Sequence, residues 1–156
     1  MSRWKFGIGA LAWMGLIYWL STGTGSTENT RPLVAVLVDW IQPGLADRLG
    51  PDWLGRLDWI VRKTAHMTEY AVLTGLLLGA LRGPGGVSTT TYAIAALIAV
   101  CYAAGDEWHQ SMVPGRYATV GDVGWDAVGT ALLCTVHRLR SIRAAARNGG
   151  ARSEKP

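Results

Sequence analysis

Three short stretches of the chain carry side chains that could do chemistry. The first is Arg62-Lys63-Thr64-Ala65-His66-Met67-Thr68-Glu69-Tyr70. The second is Tyr102-Ala103-Ala104-Gly105-Asp106-Glu107-Trp108-His109-Gln110, continued by Ser111 to a Pro114-Gly115 turn and Arg116. The third is Asp122 and Asp126. Each borders a long apolar run. Ionisable residues at membrane depth are costly, so they are first read as a functional site.

An α-helix advances about 100° per residue. Lys63, His66 and Tyr70 then fall within roughly 60° of one another, with Glu69 further round near Arg62. Tyr102, Asp106, His109 and Gln110 share a side, and Glu107 points away from it. Asp122, Asp126 and Gly129 line one stripe, where Gly129 admits a close neighbour.

Four chemistries suit these residue types. A histidine with a carboxylate, His66 with Asp106, can exchange a proton at neutral pH. Anion binding would use Lys63 and Arg116 together with the free N–H groups of a helix beginning near Thr119. Lys63, Glu69, Tyr70, Glu107, His109, Gln110, Arg116, Asp122 and Asp126 are the candidate ligand-binding set. Metal binding could draw on His66, Asp106, Glu107 and His109, but no His-Glu-x-x-His or comparable spacing occurs, and no metal is expected. No motif identifies a cofactor, and there is no Gly-x-Ser-x-Gly elbow to activate Ser111. The fourth possibility is polar glue between helices, with Lys63 or Arg116 opposite Asp106 and Arg62 opposite Glu69.

Composition says what positions these groups. The chain has 156 residues, enough for one domain, and only 17% are charged against 49% hydrophobic. Such a balance points to a membrane protein. The net charge of +4 comes largely from the tail, at Arg138, Arg140, Arg143, Arg147, Arg152 and Lys155. Beside an apolar helix this reads as an anchor to anionic lipid, and no nucleic-acid partner is expected. Cys101 and Cys134 lie in apolar runs without metal-ligand spacing and read as buried thiols.

The expected architecture is all-α: an integral membrane bundle with four principal transmembrane helices. The first spans Phe6 to Leu20, between Trp4 and Trp19; a signal peptide is the rival reading. The others span Thr64–Leu81, Ser88 or Thr89 to about Gln110, and Thr119 to about Leu139. Residues 27–62 read as short amphipathic helices at the outer interface or as an outer cap. Leu33 to Ile41 is too short to span, Pro43-Gly44 breaks it, and Pro51-Asp52 starts another helix. Arg3, Lys5, Arg82 and the tail would be cytoplasmic, which places both termini inside and all three polar stretches on the outer face of a cell membrane. Residues 1–140 are expected to form the transmembrane domain and 141–156 a basic cytoplasmic tail, disordered at its end.

In order, Lys63-x-x-His66-x-x-Glu69-Tyr70, Asp106-Glu107-x-His109-Gln110, Pro114-Gly115-Arg116 and Asp122-x-x-x-Asp126-x-x-Gly129 resemble the VanZ-like family of bacterial membrane proteins. The Ser21 to Ser26 step also fits, and the likeness spans roughly residues 5 to 137. At Asp126 the family more often has asparagine. The resemblance implies a small multi-span protein, of a family named for a member that accompanies glycopeptide resistance clusters and gives low-level teicoplanin resistance. The matched polar residues would be the shared site. The expected function is binding an anionic envelope lipid, cell-wall precursor or glycopeptide-related ligand in an outward-facing pocket. The alternatives are a membrane hydrolase or transferase acting on a lipid-linked phosphate or ester, and a purely structural bundle.

Overall fold

A computed structural model of the chain describes residues 2–22, 26–113 and 119–153. Five helices form: α1 (Arg3–Ser21), α2 (Thr27–Ile41), α3 (Leu45–Leu81), α4 (Thr89–Ser111) and α5 (Val120–Ser153). No β-strand occurs among the described residues.

The breaks follow local chemistry. Gly44 turns the chain at φ 75°, and the Asp39 carboxylate accepts the Ala46 N–H at 2.8 Å, closing the α2–α3 corner. Within α3, Gly50 leaves helical geometry at φ 73°, and Pro51 restarts the helix where its missing N–H costs nothing. At Ser88 a capping box starts α4: the Ser88 hydroxyl accepts the Thr91 N–H at 3.1 Å while Thr91 reaches back.

Two expectations are corrected here. The 51–62 segment and the 64–81 span are one continuous helix, because nothing between Pro51 and Leu81 breaks it. The last helix does not stop near Leu139 but runs through the basic stretch to Ser153, where Ala and Arg are strong helix formers.

Among the described residues one helix, α4, is apolar and long enough to cross a membrane by length and composition. The same test does not single out α1, which carries Arg3 and Lys5, or α3 and α5, whose charged ends lie inside the helices.

The core is small. Ala95, Ala99 and Ala103 form an i, i+4 row on α4 with no exposure, against Tyr70, Leu73, Leu77 and Leu78 of α3 and Ala10 and Ile17 of α1. Large apolar side chains point outward instead: Leu11 is 71% exposed, Leu97 64% and Leu132 54%. A row of small residues at the α4 seam with large apolar side chains on the outside is a pattern that helices packed in lipid also use. On α5, Gly129 lies so close to α3 that a Cβ there would overlap the Met67 carbonyl group. Thr74 donates to Thr130 at 3.2 Å across the same seam.

Candidate functional site

The middle of α3, from Lys63 to Tyr70, meets the end of α4, the start of α5 and the end of α1. Each seam has a polar tie. Between α3 and α5, Lys63 pairs with Asp122, and His66 Nδ1 lies 3.9 Å from Asp126 Oδ1. His66 Nδ1 is also 3.5 Å from Glu69 Oε2, one turn on. Between α3 and α4, the rings of Tyr70 and Tyr102 are 6.4 Å apart. Between α4 and α1, Gln110 Nε2 donates to Ser21 Oγ at 3.4 Å and to Asp106 Oδ2 at 2.8 Å. Tyr18 of α1 stacks on His109 at 4.5 Å.

Backbone acceptors hold the aromatic frame. Tyr102 donates its hydroxyl to the Met14 carbonyl at 2.6 Å, and Trp13 donates its indole N–H to the Glu69 carbonyl at 2.9 Å. These bonds lock α1 against the polar ends of α3 and α4.

The pairings differ from those the sequence suggested. Lys63 faces Asp122 rather than Asp106, and Arg62 faces Asp58, four residues earlier on its own helix, at 3.3 Å. Glu107 points to another side than Asp106 and Gln110, but that side is buried too, against α5. The reason is that α4 has neighbours on both sides: α5 on one, α3 and α1 on the other. A single polar stripe is therefore the wrong template. Neither cysteine is buried: Cys101 is exposed and Cys134 half-buried, both as free thiols. Arg116, with Pro114 and Gly115, lies outside the described residues.

The cluster is acidic. Glu69, Asp106, Glu107, Asp122 and Asp126 share it with one lysine and two histidines, and the lysine is committed to Asp122. Several buried atoms have no hydrogen-bond partner among the described residues: Tyr70 Oη, Asp106 Oδ1, Glu107 Oε2, His109 Nδ1 and Asp126 Oδ1. An unmet buried polar atom is costly and calls for an explanation in function, water or ligand. No group of three or more His, Cys, Asp or Glu among the described residues has the geometry of a metal site.

Glu107 also reaches outward. It lines a groove of about 540 Å³ between α4 and α5. The walls are apolar, built by Ala104, Trp108, Val120, Val123 and Ala127, with Ser111 and Thr119 beside them. The groove thus joins an apolar surface to the buried polar cluster through one carboxylate.

A family model described as VanZ/LLP1 matches residues 6–140. The chain belongs to the VanZ/LLP1 family. Proteins of this family are generally membrane-associated. The match takes in all of the polar cluster and stops before the basic end of α5. No curated protein and no solved structure matches the chain.

Two contributions escaped the sequence reading. Ser21 enters the site from α1; its serine-rich step had been matched to the family but not counted among the site residues. Asp58 is 1% exposed and accepts a hydrogen bond from Thr30 of α2 as well as pairing with Arg62. The available signal was its i, i+4 spacing to Arg62.

Proposed function

We propose that this VanZ/LLP1 protein spans the bacterial cell membrane and binds an amphiphilic envelope ligand, a lipid or lipid-linked cell-wall precursor, in the α4–α5 groove. Its apolar portion lies along Trp108, Val120, Val123 and Ala127, and its polar head meets Glu107 and the cluster behind it. The observation that carries this is the buried Glu107 Oε2, without a partner among the described residues, at the polar end of an apolar groove. A carboxylate there selects a head that donates hydrogen bonds, such as a hydroxyl, amide, amine or sugar. Where the ligand also bears a phosphate, Arg116 in the α4–α5 connection is the residue to hold it, since Lys63 is already paired. The protein acts on glycopeptide susceptibility by occupying the precursor that teicoplanin would meet.

The membrane part rests on the inverted burial pattern. α1, α3, α4 and α5 are its four crossings, with both termini cytoplasmic. Arg3 donates to the Ala80 carbonyl at 3.2 Å and Arg82 lies over Phe6 at 5.4 Å, so these two basic residues gather at the end away from the acidic cluster. That separation fits the positive-inside rule.

Lipid retention tests the reading. Arg116→Ala weakens retention of phosphate-bearing ligand in a salt-sensitive way after gentle extraction, and Glu107→Ala weakens retention at any salt. Unchanged retention in both variants contradicts it.

One observation favours an enzymatic alternative. His66 is flanked by Glu69 and Asp126, the environment of a general acid or base. In that reading the protein is a hydrolase or transferase for a lipid-linked phosphate or ester, with Asp106 turned to the same site. His66→Gln then abolishes turnover of such a lipid while retention persists; product formation equal to wild type excludes this role.

A further inference from the structure

A second cleft lies outside the polar cluster, between α2 and the first part of α3. It is lined by Arg31 of α2 and by Asp52, Gly55, Arg56, Trp59 and Ile60 of α3, and encloses about 540 Å³. Its geometry begins with Asp58. Thr30 donates to that buried carboxylate and docks the first turns of α2 onto α3. The next residue, Arg31, is thereby laid across Gly55. Its Nη2 is 3.0 Å from where a Cβ at Gly55 would stand, so the missing side chain makes room for the guanidinium. Arg56 enters from the other side, stacked over Trp53 at 5.1 Å.

Neither Arg31 nor Arg56 has an ion-pair partner among the described residues. Arg62, one turn beyond the cleft, is by contrast neutralised by Asp58. Asp52 is the only acid lining the cleft among the described residues, leaving two guanidinium groups against one carboxylate. Around it the surface is apolar and aromatic: Trp53 is 55% exposed, Ile60 51% and Trp59 45%. Tryptophan and isoleucine exposed beside unpaired arginines suit the depth of lipid head groups, where the rings sit at the interface and the cations meet phosphate.

We infer that the Arg31–Arg56 cleft binds the phosphodiester head group of an anionic phospholipid, with Trp59 and Ile60 against the upper acyl chain. Two guanidinium groups can offer paired N–H donors to the non-bridging phosphate oxygens. The site is separate from the α4–α5 groove. It depends on the membrane part of the function proposed above and on none of the groove chemistry.

The test uses the full chain reconstituted in vesicles of equal parts phosphatidylcholine and phosphatidylglycerol, then released for native mass spectrometry. Wild type retains phosphatidylglycerol in preference to phosphatidylcholine. The double variant Arg31→Ala/Arg56→Ala lowers that preference roughly fivefold to tenfold, about the worth of one to two charge-assisted hydrogen bonds partly exposed to water. Gly55→Leu keeps both charges but displaces Arg31 and fills the cleft, and it lowers the preference as well. A preference unchanged in both variants overturns the inference. Loss in the arginine variant with Gly55→Leu unaffected also overturns it, since that is a general charge effect without a built cleft. Displacement of the lipid by millimolar glycerol phosphate would assign the site to a soluble phosphate and overturn the lipid assignment. A well-reconstituted protein with no preference sinks this site and leaves the membrane reading standing, whereas failure to enter vesicles sinks both.

Discussion

Lys63 and Asp122 illustrate what single residues contribute at the polar end. Their side chains are 15% and 18% exposed, so each charge depends on the other. Removing one partner leaves a largely buried charge alone, which costs more than removing both. Lys63→Met and Asp122→Asn should therefore each lower the melting temperature in detergent more than the double variant does, with a coupling of about 1–3 kcal/mol in a double-mutant cycle. Additive losses would mean that the pair is not formed. The same scale shows why residue types were easier to read than residue pairs. Types and approximate faces of Lys63, His66, Tyr70, Asp106, Gln110 and Asp126 follow from helical spacing alone. Partners do not, because they depend on how far one helix slides along the next. Lys63 meets Asp122 for that reason, whereas Arg62 pairs within its own helix with Asp58, four residues earlier.

The helices are where sequence punctuation was most legible. Ser88 and Thr91 start α4, and Pro43-Gly44 ends the short α2 stretch, as turn and cap chemistry requires. What composition hid was continuity: a polar stretch inside α3 looks like a boundary but remains helical, since Lys, Arg and His do not break a helix. Glu107 is buried although it points away from Asp106 and Gln110, because one helix with two packed sides has no single inward face. Glycine at the α3–α5 seam gives a direct test of that contact. Gly129→Ala forces a methyl group into the Met67 backbone and should destabilise the bundle by about 1–3 kcal/mol, the range for overpacking. At Gly124, five residues earlier on the same helix, a Cβ meets nothing within 4 Å, so Gly124→Ala should be neutral or stabilise by up to about 1 kcal/mol. Detergent unfolding of the two variants checks both; equal effects would contradict the seam.

For the whole molecule, the distribution of charge and bulk is the main physical fact. Acids cluster at one end with Asp122 and Asp126. Arg3 and Arg82 lie at the other end, toward which the basic part of α5 runs. Large apolar side chains cover the flanks between. This predicts a topology: cysteines introduced at Ser2 and at Ser141 should resist a membrane-impermeant maleimide in intact cells and react after permeabilisation, while one introduced at Gln42 should react in both. Labelling at Ser2 in intact cells would reverse or break the four-crossing arrangement. The central claim is the amphiphile in the α4–α5 groove. The most direct measurement is native mass spectrometry of protein gently extracted from bacterial membranes, comparing wild type with Val123→Trp, which fills the groove without touching a charge, and with Glu107→Ala. One tightly held lipid or precursor is expected on the wild type, absent from both variants although each keeps its helical circular dichroism. The same ligand retained on all three proteins, or none on any of them, would contradict it.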